Sequence, residues 1–202
     1  MEKENIRKQD IIVESVKSLY NEKGMTETIR QVCAIAITKK EARLCYKLAE
    51  ILYKEDVMQD LQKVVLEGKD AVFCYVFARD VNNANIKELQ KVVLEDKNAV
   101  LCYLFARDVN NANVKELQKV VVDSNDAFLC YMFARYIKGA EIKPLQQVVI
   151  NSRNKELCEK FAQFIERRTE WGWGVRKAVS NVTAPCDAEK IEEDLDSIID
   201  NK

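Results

Sequence analysis

An all-α fold of helix–turn–helix units is what this sequence predicts, and three observations carry the prediction. A 28-residue block recurs in tandem, which is the signature of a repeat architecture. Within each block the apolar residues follow helical rather than alternating spacing. Turn formers are sparse, with 5 Gly and 2 Pro in 202 residues, too few for a chain rich in strands and loops.

The repeat is close to literal. Residues 61–88 and 89–116 match at 23 of 28 positions. A third unit starts at Leu117 and a decayed fourth at Leu145. Leu-Gln-Lys-Val-Val opens the blocks at Leu61, Leu89 and Leu117 and returns as Leu-Gln-Gln-Val-Val at Leu145. A diverged earlier unit ends in Leu44-Cys45-Tyr46, one residue out of step.

Each unit reads as two short helices. The first runs from Ile86 to about Glu95, with Ile86, Leu89, Val92 and Val93 on one face and Lys87, Glu88, Gln90 and Lys91 on the other. Asn85 followed by Glu88, and Asn113 followed by Glu116, predict capping boxes at its start. The second helix starts after Asp70, Asn98, Asp126 or Asn154, all N-cap residue types at one repeat position. It continues as Ala99-Val100-Leu101-Cys102-Tyr103-Leu104-Phe105-Ala106, apolar nearly all round, so it is the helix that must be covered. Asn83, Asn111 and Gly139 are expected to end it in the left-handed C′ conformation.

One unit cannot bury its second helix alone, whereas a stack of units can. The expected architecture is therefore a short solenoid, a right-handed α-α superhelix over residues 29–168. It resembles the α-solenoid class that includes the TPR and HEAT repeats. The resemblance is architectural: the period is shorter than that of TPR units and the TPR Trp-Leu-Gly-Tyr pattern is absent. It therefore carries no functional residues over to this chain.

Segments outside the repeats are expected to close its ends. Ile11, Ile12, Ser15, Val16, Leu19 and Tyr20 suggest an amphipathic helix over residues 5–23, within an N-terminal cap of residues 1–28. Residues 169–186 read as a C-terminal cap, and residues 187–202 as an acidic tail helix with Ile191, Leu195, Ile198 and Ile199 on one side. That tail holds seven acids and two lysines, net -5, so the body carries +4 of the overall -1. The first eight residues are charged and lack the apolar stretch of a secretory signal, and no run of 18 apolar residues exists to span a membrane. A reducing cytoplasm is the expected setting.

Little in the sequence supports catalysis. Histidine is absent, which removes the commonest general base and metal ligand, and no Gly-rich phosphate loop or nucleophile elbow occurs. No catalytic residue, metal site or cofactor is expected. Cys74, Cys102, Cys130 and Cys158 recur every 28 residues without a CxxC pair and read as small core hydrophobes. Tyr75, Tyr103 and Tyr131, with Phe77, Phe105 and Phe133 two residues on, read as packing between repeats, each hydroxyl reaching a polar edge.

Two binding readings remain. The leading one is a protein partner recognised along the polar helix face by Lys87, Gln90, Lys91, Lys115, Gln118, Lys119, Lys143 and Gln146. Its alternative is a nucleic acid held by Arg79, Arg107 and Arg135 and by the cluster Arg167, Arg168, Trp171, Trp173, Arg176 and Lys177. Against a phosphate track, Asp80 and Asp108 adjoin the arginine row, and the first two full repeats each sum to zero charge.

Overall fold

The computed structural model of the chain describes residues 2–166, and the fold is an all-α helical repeat. The described helices are α1 (Glu2–Lys23), α2 (Glu27–Thr38), α3 (Ala42–Ile51), α4 (Met58–Gly68), α5 (Ala71–Asp80), α6 (Ile86–Asp96), α7 (Ala99–Asp108), α8 (Val114–Asp123), α9 (Ala127–Tyr136), α10 (Ile142–Asn151) and α11 (Lys155–Glu166). The expected C-terminal cap, the acidic tail, and Arg167, Arg168, Trp171, Trp173, Arg176 and Lys177 lie outside the described residues. Helices α1–α6 belong to one compact unit and α7–α11 to a second.

Helices α5, α7 and α9 are the apolar ones, and their starts, like that of the amphipathic α11, lie where the cap residues place them. Asp70 accepts from the amides of Val72 and Phe73 at 2.8 and 3.2 Å. Asn98 accepts from Leu101 N at 3.1 Å, Asp126 from Leu129 N at 2.9 Å and Asn154 from Leu157 N at 3.1 Å. Each satisfies a donor that the first turn leaves open. These helices are then covered on most sides: in α9 Leu129, Cys130, Tyr131, Met132, Phe133 and Ala134 are all buried.

Helix ends depart from expectation in two ways. Asn83, Asn111 and Gly139 do take positive φ (64°, 63° and 87°), but α5, α7 and α9 have already ended three residues earlier. The residue closing α5 or α9 is an extended Val81 or Ile137, so the left-handed residue shapes the connecting turn rather than the cap. Among the left-handed residues that do follow a helix directly or after one residue are Lys69, Lys97, Asn125 and Arg153 after α4, α6, α8 and α10, with φ between 51° and 57°. They end the amphipathic helices. Lysine and arginine carry no sequence signal for this conformation, which costs a non-glycine residue about 1 kcal/mol.

In the first unit Tyr46 on α3 lies 6.4 Å from the Phe77 ring on α5. In the second, Tyr103 meets Phe133 at 6.3 Å and Tyr131 meets Phe161 at 6.2 Å. Tilted rings at this spacing add to the stabilisation from area buried. Each apolar helix packs most extensively on the amphipathic helix after it, as α5 does on α6 and α9 on α10. The closest helix pair is therefore offset by one helix from the pair in which the sequence repeat is naturally written.

The N-terminal helix starts at Glu2 rather than residue 5 and runs 22 residues. Its inward face is Gln9, Ile12, Val16, Leu19 and Tyr20, packed on α3. Ile11, expected on that face, is 66% exposed. Gln9 replaces it, held by Glu41 at 3.0 Å and Arg43 at 3.3 Å. No described helix is long and apolar enough to cross a membrane.

Candidate polypeptide-binding face

The amphipathic helices α6, α8 and α10 carry the residues expected to meet a partner, and burial divides those residues into two classes. Gln90 and Gln118 are 3% and 5% exposed, so they are not part of a presented surface, contrary to the reading of the polar face. Gln62, at the same repeat position, is 4% exposed. Gln146, on the last amphipathic helix, is half-buried.

Hydrogen bonding explains this burial. Gln118 Nε2 donates to the carbonyl of Glu141 at 2.7 Å, and Glu141 N donates to Gln118 Oε1 at 2.8 Å. Gln62 does the same to Asn85, with Asn85 N on Oε1 at 3.0 Å and Nε2 on Asn85 O at 3.4 Å. A primary amide matches one backbone N–H and one C=O at once, whatever side chain the partner residue bears. The next amphipathic helix is thereby pinned at the residue just before its first turn.

This clamp displaces the expected capping boxes. The Asn85 amide is taken by Gln62 rather than by Glu88, and the Glu88 N to Asn85 Oδ1 contact is long at 3.5 Å. Asn113 makes no side-chain capping bond at α8. The clamp was legible only as a glutamine recurring on a lysine-rich face. Its partner lies 23 residues away, beyond any local pattern.

Above each clamp lies an open groove. Between α4 and α6 it has a volume of about 440 Å³ and is lined by Gln59, Asp60, Lys63, Leu66, Asn83 and Glu88 among others. Between α8 and α10 the corresponding groove, about 470 Å³, is lined by Lys115, Glu116, Lys119, Val122, Glu141 and Pro144. The two are the same construction 56 positions apart: Lys63 corresponds to Lys119, Leu66 to Val122, and Glu88 to Pro144.

Lys63, Lys87, Lys91, Lys115, Lys119 and Lys143 are all exposed. Lys91 lies 4.0 Å from Glu95 and Lys115 lies 3.8 Å from Glu141, exposed pairs of little energetic weight. Among the described residues Lys63 and Lys119 make no ion pair. Acids interleave with the lysines on every one of these helices except α10, whose only charged residue is Lys143.

The arginine row is differently placed. Arg79 grips Asp80 through Nε at 2.6 Å and Nη2 at 2.8 Å, and Arg107 grips Asp108 at 2.7 and 3.0 Å. Burial would raise the Asp80 carboxyl, but the bonds from Arg79 and from the Tyr46 hydroxyl, at 2.7 Å, outweigh it and hold the group below its usual value. Arg135, followed by Tyr136 instead of an acid, donates to the Tyr131 hydroxyl at 2.8 Å and stacks near both rings. All three arginines are committed to neighbouring side chains.

The cysteine and tyrosine rows are core. Cys74, Cys102, Cys130 and Cys158 are fully buried and form no disulfide. Burial pushes the Cys74 and Cys130 thiols up to about 12, helped slightly by Asp70 and Asp126. Tyr75, Tyr103 and Tyr131 are at most 6% exposed. No cluster of three His, Cys, Asp or Glu able to hold a metal occurs among the described residues.

The class defined by these features is a helical-repeat protein with a grooved amphipathic face. No family model, curated protein or solved structure matches the chain, so its functional reading rests on its own geometry.

Proposed function

We propose that this chain is a non-catalytic interaction module that binds a polypeptide along the face of its amphipathic helices. The observation that carries the reading is the recurrence of one groove, floored by a glutamine clamp and centred on a lysine without an ion pair, between α4 and α6 and again between α8 and α10. A groove repeated once in each unit suits a polypeptide partner. Gln90 and Gln118 drop out of the binding set, and Lys87, Lys91, Lys115, Lys119 and Lys143 stay in it, joined by Lys63.

The nucleic-acid alternative has less support. Arg79 and Arg107 already hold carboxylates, Arg135 holds tyrosines, and acids interrupt the lysine rows, so the described residues offer no continuous track for phosphates.

Photo-crosslinking in the intact chain tests the proposal. A benzophenone side chain placed at Lys63 or Lys119 is expected to give a discrete polypeptide adduct, absent when the probe sits at exposed Lys155 on α11. Charge reversal of Lys87, Lys115 and Lys143 together should remove the adduct. Equal adducts from Lys155, or adducts indifferent to the reversal, would eliminate this face as the site. A salt-sensitive gel shift with single-stranded DNA, retained in the triple variant, would instead favour nucleic acid.

A further inference from the structure

The two grooves share one plan but differ in charge, and that difference points to the chemistry of the occupant. In the α4/α6 groove Lys63 is accompanied by acids from both helices, Asp60 and Glu88. In the α8/α10 groove the residue in the register of Glu88 is Pro144. Glu141 also lines that groove but faces Lys115 at 3.8 Å. Glu116 stands in the register of Asp60, but Lys115 replaces Gln59, so the α8/α10 groove carries a second lysine against the same number of acids; as with Lys63, no carboxylate lies within ion-pairing distance of the Lys119 ammonium among the described residues. Val122, one helical turn beyond Lys119, joins Pro144 in giving the groove an apolar wall.

Resting on the interaction-module reading, we propose that the α8/α10 groove receives an extended acidic peptide segment, one carboxylate meeting Lys119 and a neighbouring aliphatic side chain packing on Val122 and Pro144. In an extended chain, side chains two residues apart point to the same side, about 6–7 Å from one another. Lys119 and Val122, three residues apart on a helix, lie about 5–6 Å apart at Cβ. The matching motif is therefore an acid and an aliphatic residue separated by one position. Pro144 contributes by shape and by what it lacks: an acid at that position would face the incoming carboxylate.

Panning a random 12-residue phage-displayed peptide library on the intact protein tests this. The expected result is enrichment of Asp or Glu at i with Leu, Ile or Val at i±2. Binding of an enriched peptide, synthesised with a fluorescein label and followed by polarisation, should weaken at least tenfold in Lys119→Glu and at least fivefold in Pro144→Glu. Lys63→Glu, in the other groove, should change it by less than twofold. Pro144→Glu keeps the lysine and places an acid in the first turn of α10, where a negative charge favours the helix; its effect is therefore not one of unfolding, and unchanged helical circular dichroism confirms that. Enrichment of basic or purely aromatic peptides, the absence of any enriched sequence, or acidic binders indifferent to Pro144→Glu and Lys119→Glu would overturn the proposal. A polypeptide adduct from the Lys119 photoprobe alongside such a negative result would leave the interaction-module reading standing and refute only the chemistry assigned to its ligand.

Discussion

Gln118→Ala removes, in one substitution, both hydrogen bonds that tie α8 to Glu141, the residue that caps the start of α10. The side chain is 5% exposed and its two bonds are short, 2.7 and 2.8 Å. Each such bond is worth about 1 kcal/mol net. Truncation also strips the Glu141 amide and carbonyl of their partner. Water reaches this pair because Glu141 is exposed, which keeps the loss at about 2 kcal/mol rather than the larger figure for a sealed site. Native-state hydrogen exchange of the Glu141 amide is the direct assay: 2 kcal/mol corresponds to about a 30-fold faster rate. Urea denaturation should show a matching fall in midpoint. The same change at Gln62, whose bonds are longer at 3.0 and 3.4 Å, should cost less, about 1 kcal/mol. Gln147→Ala, on the exposed face of α10, should cost under about 0.5 kcal/mol. If Glu141 exchanged at the wild-type rate in Gln118→Ala, the clamp would not be holding the helix start.

Other expectations follow from the same geometry. Arg153→Gly and Lys69→Gly relieve left-handed backbone at φ 56° and 51° and should each raise stability by about 0.5–1 kcal/mol; a lower denaturation midpoint would contradict the strain assignment. Tyr46→Phe deletes the 2.7 Å bond to the Asp80 carboxylate and should destabilise by about 1.5 kcal/mol at pH 7. Because Asp80 is depressed in the folded state, its stabilisation is present above the unfolded carboxylate pKa of about 3.9 and lost as pH falls through the lower folded value. The gap between wild type and Asp80→Asn should accordingly shrink below about pH 4, and a gap constant with pH would show that the carboxylate charge is not involved. Cys74 and Cys130, buried and with thiols pushed up to about 12, should resist iodoacetamide at pH 8 in the native protein and react after guanidinium unfolding; peptide mapping that finds either one alkylated natively would refute their place in the core.

Where the sequence reading succeeded, the information was local. The four caps at Asp70, Asn98, Asp126 and Asn154 each act on amides two or three residues away, so the boundary is visible in the chain itself. The apolar helices are hydrophobic on nearly every side, and burial of Cys102, Tyr103 and Phe105 follows from that alone. Where the reading failed, a residue's fate depended on something far along the chain. A glutamine beside a lysine on a polar face reads as solvated, and Gln118 is buried because a backbone amide and carbonyl 23 residues on complete its hydrogen bonds. Ile11 reads as apolar and inward, yet Gln9 takes the inward place because Glu41 and Arg43 on the neighbouring segment satisfy it.

The sequence by itself determined the 28-residue period, the two helices per unit, the buried identity of the second helix and the caps that begin it. Those features rest on periodicity and on bonds spanning at most four residues. Only the tertiary structure decided which polar residues remain available to a ligand. It took Gln62, Gln90 and Gln118 out of the surface and left Lys63 and Lys119 exposed at the lining of grooves. The physical reason is that a polar side chain goes wherever its hydrogen bonds and charge are best satisfied, and the satisfying group is brought close by packing between helices, which sequence spacing does not encode.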